Sequence, residues 1–120
     1  REFDLVTCVP MHKDTLRKRG YNQAELLAKE CARLLGIEYA DLLAKTKKNK
    51  TQHSIKAAER AKNVIGVYSP INKNLIKGKR ILIIDDIITT GSTLGECARI
   101  LNKCKCGKIC CCTLCTSLLI

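Results

Sequence analysis

Aromatic side chains are nearly absent: the 120 residues hold no Trp, one Phe and three Tyr. Phe3, Tyr21, Tyr39 and Tyr68 are too few for an extended platform on which successive bases stack, and the core has to be built from Leu, Ile, Val, Ala and Cys. No apolar run reaches the length of about 20 residues that crosses a bilayer, and no secretory signal pattern is present. A soluble cytoplasmic protein is therefore expected, with no membrane partner. No Gly-Lys-Ser/Thr follows a glycine loop, which excludes a Walker-type nucleotide site, and the Gly-x-Gly-x-x-Gly dinucleotide pattern is missing as well. Acidic residues are scarce too: 11 Asp and Glu against 22 Lys and Arg leave a net charge of +11. That surplus suits an anionic ligand, a phosphorylated metabolite or a nucleic acid. A Lys-rich solvated surface accounts for it equally well, because many of the lysines are scattered.

What is present fits one compact domain with an aliphatic core. The length allows one domain and little more, and hydrophobic residues make up 46% of the chain, which argues against disorder. Nine cysteines is an odd number. Cys8, Cys31 and Cys97 stand among apolar neighbours and read as small buried hydrophobes of a reducing compartment. Cys104, Cys106, Cys110, Cys111, Cys112 and Cys115 crowd the tail. A zinc cluster is one reading of that tail, but only Cys112 and Cys115 have knuckle spacing, and Ile109–Leu114 reads as a strand. No metal ligand is assigned to the protein.

Strand-like and helix-like segments alternate. Asp4–Pro10 is a short apolar run closed by proline, a buried strand. The polar, basic stretch Met11–Gly20 follows. Asn22 is placed as a helix N-cap, with Glu25 as its capping-box partner, and the helix runs to about Leu35 before Gly36. Its expected inner face is Leu27, Cys31, Leu34 and Leu35. A short strand is expected within Ile37–Ala44, a charged mobile loop over Lys45–His53, a short helix over Ser54–Asn63, a strand over Val64–Tyr68 and a connection over Ser69–Lys79. Arg80–Asp85 is the clearest strand: Ile81, Leu82, Ile83 and Ile84 in succession suit burial on both faces of a parallel sheet. Thr93–Lys103 reads as a helix with Leu94, Cys97, Ala98 and Leu101 inward, and Lys108–Cys115 as a last strand. The pattern predicts an α/β fold, a mostly parallel sheet with helices on both faces.

The stretch Ile81–Leu94 carries the chemistry. Ligands of open parallel sheets bind beyond the carboxyl ends of strands, and Asp85 and Asp86 stand there. Adjacent acids at such a place repel each other and need compensation. Vicinal ribose hydroxyls suit them as donors, and a bound magnesium ion could share the charge. Thr89, Thr90, Gly91, Ser92 and Thr93 then supply hydroxyls, inward backbone N–H groups and the start of a helix, a cup for a phosphate monoester. Acids for the sugar beside donors for its 5′-phosphate describe a ribose 5-phosphate site. The plain alternative is a strand end followed by a helix capped by Ser92 or Thr93. His12 and His53 are lone histidines and are expected at the surface.

This string resembles the phosphoribosyl-pyrophosphate signature of type I phosphoribosyltransferases. Val9 and Pro10 followed by Leu16–Ala24, with Arg19, Gly20, Tyr21, Asn22 and Gln23 at the centre, are similar to the hallmark of the ComF family of competence-associated proteins. Thr51, Gln52, Glu59, Arg60 and Asn63 fit that family's middle region. The resemblance covers nearly the whole chain. It implies a single type I phosphoribosyltransferase-like domain over residues 1–120. It also implies a fragment without the N-terminal four-cysteine zinc module usual in that family. Asp85 and Asp86 match the ribose-binding acids and Thr89 to Thr93 the phosphate loop. The resemblance places pyrophosphate in the stretch after Pro10, where Lys13, Arg17 and Arg19 have the right charge, with Arg19 counted alongside the two acids as catalytic. Gln52 and Arg60 fall in the loop that closes over substrate in such enzymes.

The implied function is a phosphoribosyltransferase that binds 5-phosphoribosyl 1-pyrophosphate with magnesium, associated with DNA uptake. The alternatives are a non-catalytic single-stranded DNA-binding module and a nucleotide sensor on the same fold. The expected partners are phosphoribosyl pyrophosphate or a nucleotide, single-stranded DNA, and a second copy of the chain in a homodimer. The segment that would read the acceptor carries no recognisable signature.

Overall fold

A computed structural model describes residues 2–47, 66–88 and 91–116. Its elements are β1 (Leu5–Cys8), α1 (Lys13–Arg19), α2 (Gln23–Leu35), β2 (Glu38–Tyr39), β3 (Leu43–Lys45), β4 (Tyr68–Pro70), α3 (Lys73–Ile76), β5 (Arg80–Ile88), α4 (Ser92–Lys103) and β6 (Lys108–Thr116). Four strands form a wholly parallel sheet in the order β2-β1-β5-β6, and β3 and β4 form a separate antiparallel ribbon. The α/β architecture expected from the alternating pattern is the one found. The helix expected over Ser54–Asn63 and the first residues of the strand expected over Val64–Tyr68 lie outside the described residues.

Each face of the sheet is covered because β1 and β5 are apolar on both. Leu5, Val9, Ile81 and Ile83 meet α4 through Leu94, Cys97, Ile100 and Leu101, with Leu42, Val67 and Ile76 closing the same layer. Val6, Cys8, Leu82 and Ile84 meet α2 through Ala24, Ala28 and Ala32. The inner face of α2 differs from the one that leucine spacing suggests. Leu27 and Cys31 do flank the core, but Leu34 is 69% and Leu35 55% exposed. Alanines at i, i+4 and i+8 let the helix axis approach the strands closely, and the bulkier leucines at its end are left in water. In α4, Ile100 and Glu96 are buried in addition to the expected Leu94, Cys97 and Leu101, and Ala98 is only partly covered.

The ends of α2 follow the sequence reading in part. Asn22 is the N-cap, its Oδ1 accepting from the Ala24 N–H at 3.1 Å, and Gly36 closes the helix in the left-handed conformation. Glu25 takes the Lys29 ammonium at 2.8 Å, an i, i+4 pair. The basic stretch after Pro10, read only as polar, contains α1: the His12 Nδ1 accepts from the Asp14 N–H at 3.1 Å and caps it, and α1 buries no residue.

Opposite the acids, the amino end of β5 is clamped. The Arg80 N–H and guanidinium donate to the Asp4 carboxylate at 2.9, 3.2 and 3.1 Å, and those bonds hold Asp4 down at a pKa of about 2. Beside the clamp, the Gly107 N–H donates to the Lys79 carbonyl at 2.7 Å. A Cβ on Gly107 would stand 2.8 Å from the Gly78 carbonyl oxygen, which is rigid backbone. Gly107→Ala is therefore expected to cost about 1–3 kcal/mol, as overpacking does, seen as a lowered thermal midpoint. An unchanged midpoint would show that the two turns separate freely.

Candidate functional site

The sheet order places a topological switch between β1 and β5: from β1 the chain proceeds to β2 on one side, and from β5 to β6 on the other. Crevices at such points are where open α/β sheets bind ligands. β1 ends at Cys8, opposite Ile84, with the Val9 N–H donating to the Ile84 carbonyl at 2.9 Å. β5 runs on to Ile88 beside β6 alone. Asp85 and Asp86 are thus the first residues of β5 past its last paired position with β1. The strand is longer than the sequence suggested, so Asp86 as well as Asp85 lies within β5.

The two carboxylates are not equivalent. Asp85 continues the face of Ile83, toward α4, and Asp86 the face of Ile84, toward α2, as alternation along a strand requires. The Asp86 N–H donates to Asp85 Oδ1 at 2.9 Å. Burial, followed by the neighbouring Asp86, pushes the Asp85 carboxyl up to about 7, while Lys45 pulls it back down. An acid so raised is short of positive partners, the condition under which a cation or hydroxyl donors bind favourably. Carboxylates are hard oxygen donors, which suit magnesium better than a softer metal. Gly91 initiates α4 with φ of 80°, a conformation costly to any residue with a Cβ. It offers no side chain to cap the helix, so neither Ser92 nor Thr93 is the N-cap. Both are partly buried in the first turn of α4. Thr89 and Thr90 lie outside the described residues, as do Gln52, Arg60 and His53.

A cavity of about 480 Å³ opens at the end of β1, with Thr7, Cys8, His12, Lys13, Ala44 and Lys45 among its lining residues. Among the cations expected to hold pyrophosphate, Lys13 lines this cavity. Arg17 is exposed and pairs with Asp14 at 3.3 Å, and Arg19 is exposed at the end of α1. His12, expected at the surface, is instead 12% exposed and built into the wall as the α1 cap.

Three contributors escaped the sequence reading. Lys45 is half-buried, its ammonium 5.8 Å from the centre of the Tyr68 ring. Burial lowers its pKa, and the charge of Asp85 works in the opposite direction. Nothing in its Lys-rich surroundings singles it out. The Cys8 thiol, raised to about 11 by burial, lies 3.1 Å from the Tyr39 hydroxyl, which donates to Asp41 Oδ1 at 2.8 Å. Thr7 is 1% exposed, and its hydroxyl has no hydrogen-bond partner. The lone hydroxyl within an aliphatic strand was its only signal. A buried orphan hydroxyl destabilises by about 1–3 kcal/mol. Thr7→Val is therefore expected to raise the unfolding midpoint in urea. A lowered midpoint would mean that the hydroxyl is satisfied in solution.

The side chain of Cys115 lies outside the described residues. Cys110, Cys111 and Cys112 are exposed on β6, the edge strand among the described residues. Among those residues no group of three or more His, Cys, Asp or Glu is placed to hold a metal ion. No described helix is long and apolar enough to cross a membrane.

A parallel sheet with paired acids at its switch point and an αL glycine opening the next helix is the frame of a phosphoribosyltransferase-type domain. The chain belongs to the phosphoribosyl transferase domain family, whose match spans residues 22–118. Among curated proteins it is 36% identical over 102 residues to competence protein F of Haemophilus influenzae, covering 83% of this chain and 44% of that one. It is 30% identical over 101 residues to the DNA utilization protein YhgH of Escherichia coli, again over 83% and 44%. These relatives bear out the ComF-type resemblance, and the chain spans less than half of their length. Among solved structures, glutamine phosphoribosylpyrophosphate amidotransferase from B. subtilis superposes with a TM-score of 0.62 at 22% identity. The match covers 94% of this chain and 22% of that one, a likeness of fold.

Proposed function

We propose that the domain binds the ribose 5-phosphate part of 5-phosphoribosyl 1-pyrophosphate at the carboxyl end of β5 and transfers it to a nucleophile. The observation that carries this reading is the half-buried Asp85–Asp86 pair, set where β5 outruns β1 and followed by the αL glycine that opens α4. In this reading Asp85 and Asp86 accept from the ribose hydroxyls. The backbone at Gly91 and the hydroxyls of Ser92 and Thr93, with Thr89 and Thr90, hold the 5′-phosphate. Lys13, with Arg17 and Arg19 on the same short helix, faces the pyrophosphate.

Magnesium bound with the pyrophosphate would be held near Asp85 and Asp86 and would neutralise charge on the leaving group. In the transfer, the bond from the sugar C1 to the pyrophosphate oxygen breaks and its electron pair leaves with pyrophosphate, while the nucleophile bonds to C1. The protein's share is positioning and electrostatic stabilisation of the departing anion. Titration calorimetry with 5-phosphoribosyl 1-pyrophosphate and magnesium tests the binding half. Absence of heat at millimolar ligand, with a folded sample, would overturn it.

The names of the relatives, one a competence protein and one a DNA utilization protein, support a DNA-associated role for this chain, in which the cup serves handling of nucleic acid or its nucleotides. The +11 charge suits this reading as it suits any anionic ligand.

A further inference from the structure

Five lysines that the sequence scatters over 33 positions meet at the end of the sheet remote from Asp85 and Asp86. Lys73 begins α3, Lys77 caps its end, and Lys103 ends α4. Together they line a hollow of about 370 Å³ with Asn74 and Cys104. Two turns are laced together beneath it: the Gly78 N–H donates to the Lys105 carbonyl at 2.9 Å, and the Gly107 and Lys108 N–H groups donate to the Lys79 carbonyl at 2.7 and 3.3 Å. The lacing fixes Lys79 and Lys105 beside the hollow, and all five lysines are exposed. The segments Ile71–Arg80 and Leu101–Lys108 contain no Asp or Glu.

The acids nearest in charge are already engaged, Asp4 by Arg80 and Glu96 by Arg99 at 2.7 Å. None of the five lysines forms an ion pair with a described residue. So dense a set of like charges is held in place only by backbone bonds and repels itself, and it gains from a polyanion.

We propose that Lys73, Lys77, Lys79, Lys103 and Lys105 form a docking surface for the phosphate backbone of single-stranded nucleic acid. The inference builds on the DNA-associated reading above and gives it a location separate from the sugar-phosphate cup. Asp85 stands five residues along β5 from Arg80, about 17 Å at the rise of a strand. A compact ridge around two turns suits a flexible single strand, which can bend its phosphates onto it, better than a rigid duplex. The scarcity of aromatics fits contact through phosphate without base stacking. Binding is thus sequence-independent and steeply salt-dependent.

The test is fluorescence anisotropy with a labelled deoxythymidine oligonucleotide of about 16 residues, the upper end of single-strand site sizes. It compares wild type with Lys73→Glu/Lys77→Glu/Lys103→Glu and with the corresponding Lys→Gln triple variant. Both variants are expected to lose at least about tenfold in affinity at low salt. The Gln variant's slope of log affinity against log salt should be shallower by about 2, at about 0.7 per single-strand phosphate contact. Each keeps wild-type calorimetric binding of ribose 5-phosphate with magnesium. Asp85→Asn/Asp86→Asn should show the reverse, retaining the oligonucleotide and losing the sugar phosphate.

Ridge variants that bind the oligonucleotide like wild type overturn the proposal. So does a Lys13→Glu/Arg17→Glu/Arg19→Glu variant that loses more. So too does a ridge that proves to serve only vesicles of phosphatidylserine and phosphatidylcholine, with oligonucleotide binding untouched. Failure of wild type to bind the sugar phosphate, with oligonucleotide binding at the ridge intact, sinks the cup reading alone.

Discussion

Asp85→Asn/Asp86→Asn is expected to abolish measurable binding of 5-phosphoribosyl 1-pyrophosphate while leaving the fold intact. Each charge-assisted hydrogen bond to a carboxylate is worth about 1.5–3 kcal/mol. Losing those of both acids reduces affinity by about 100-fold or more, before any loss of magnesium is counted. Calorimetry reads the loss directly.

The same substitution carries a signature in pH. The Asp85 carboxyl is raised by burial and by Asp86 to about 7, from an ordinary value of 3.8. Between those values the folded state binds the proton more fully than the unfolded chain does. Stability of the ligand-free protein therefore falls as pH rises through that window. Asp85→Asn should flatten this part of the profile and leave the variant as stable as wild type, or more so, at neutral pH. Ligand binding needs the carboxylate and should tighten as pH passes about 7. A variant that unfolds at neutral pH, or a wild type whose stability climbs between pH 4 and 7 more steeply than the variant's, would contradict the assignment.

Leu101→Ala is expected to have the largest effect on stability. Leu101 is fully buried against the β5 face that carries Ile81 and Ile83, in the layer closed by Ile76 and Leu42. Truncating a buried leucine costs about 2–5 kcal/mol, part of it for the cavity left behind. A small domain has about 5–15 kcal/mol in total, and with so few aromatic side chains little bulk can collapse into the gap. Urea denaturation should show the midpoint fall sharply, with the slope preserved. Leu34→Ala on α2 should change stability by no more than about 0.5 kcal/mol, because Leu34 is 69% exposed. Equal effects at the two positions would refute the assignment of the α2 face and restore the leucine stripe that its spacing suggests.

The sequence by itself determined the parts that depend on neighbours along the chain. Four consecutive branched aliphatics, Ile81 to Ile84, read as a strand buried on both faces, and β5 is that strand. Asn22 and Gly36 mark the ends of α2 because capping is a matter of one or two peptide groups. The alternation of strands and helices was enough to reach a parallel sheet covered on both faces.

Tertiary structure decided what depends on distance. Spacing on α2 could not tell Leu34 from Ala28, because the choice turns on how closely the helix must approach Val6, Cys8, Leu82 and Ile84, and only alanine permits that approach. Lys45 is one lysine among several until the ribbon sets it over Tyr68, near Asp85. Thr7 is an ordinary strand residue until β1 buries its hydroxyl without a partner. The lysine ridge is written in two segments with little meaning apart, and the hydrogen bonds between the α3–β5 and α4–β6 turns make it one surface. Local periodicity records which residues repeat, whereas packing and charge depend on which surfaces meet.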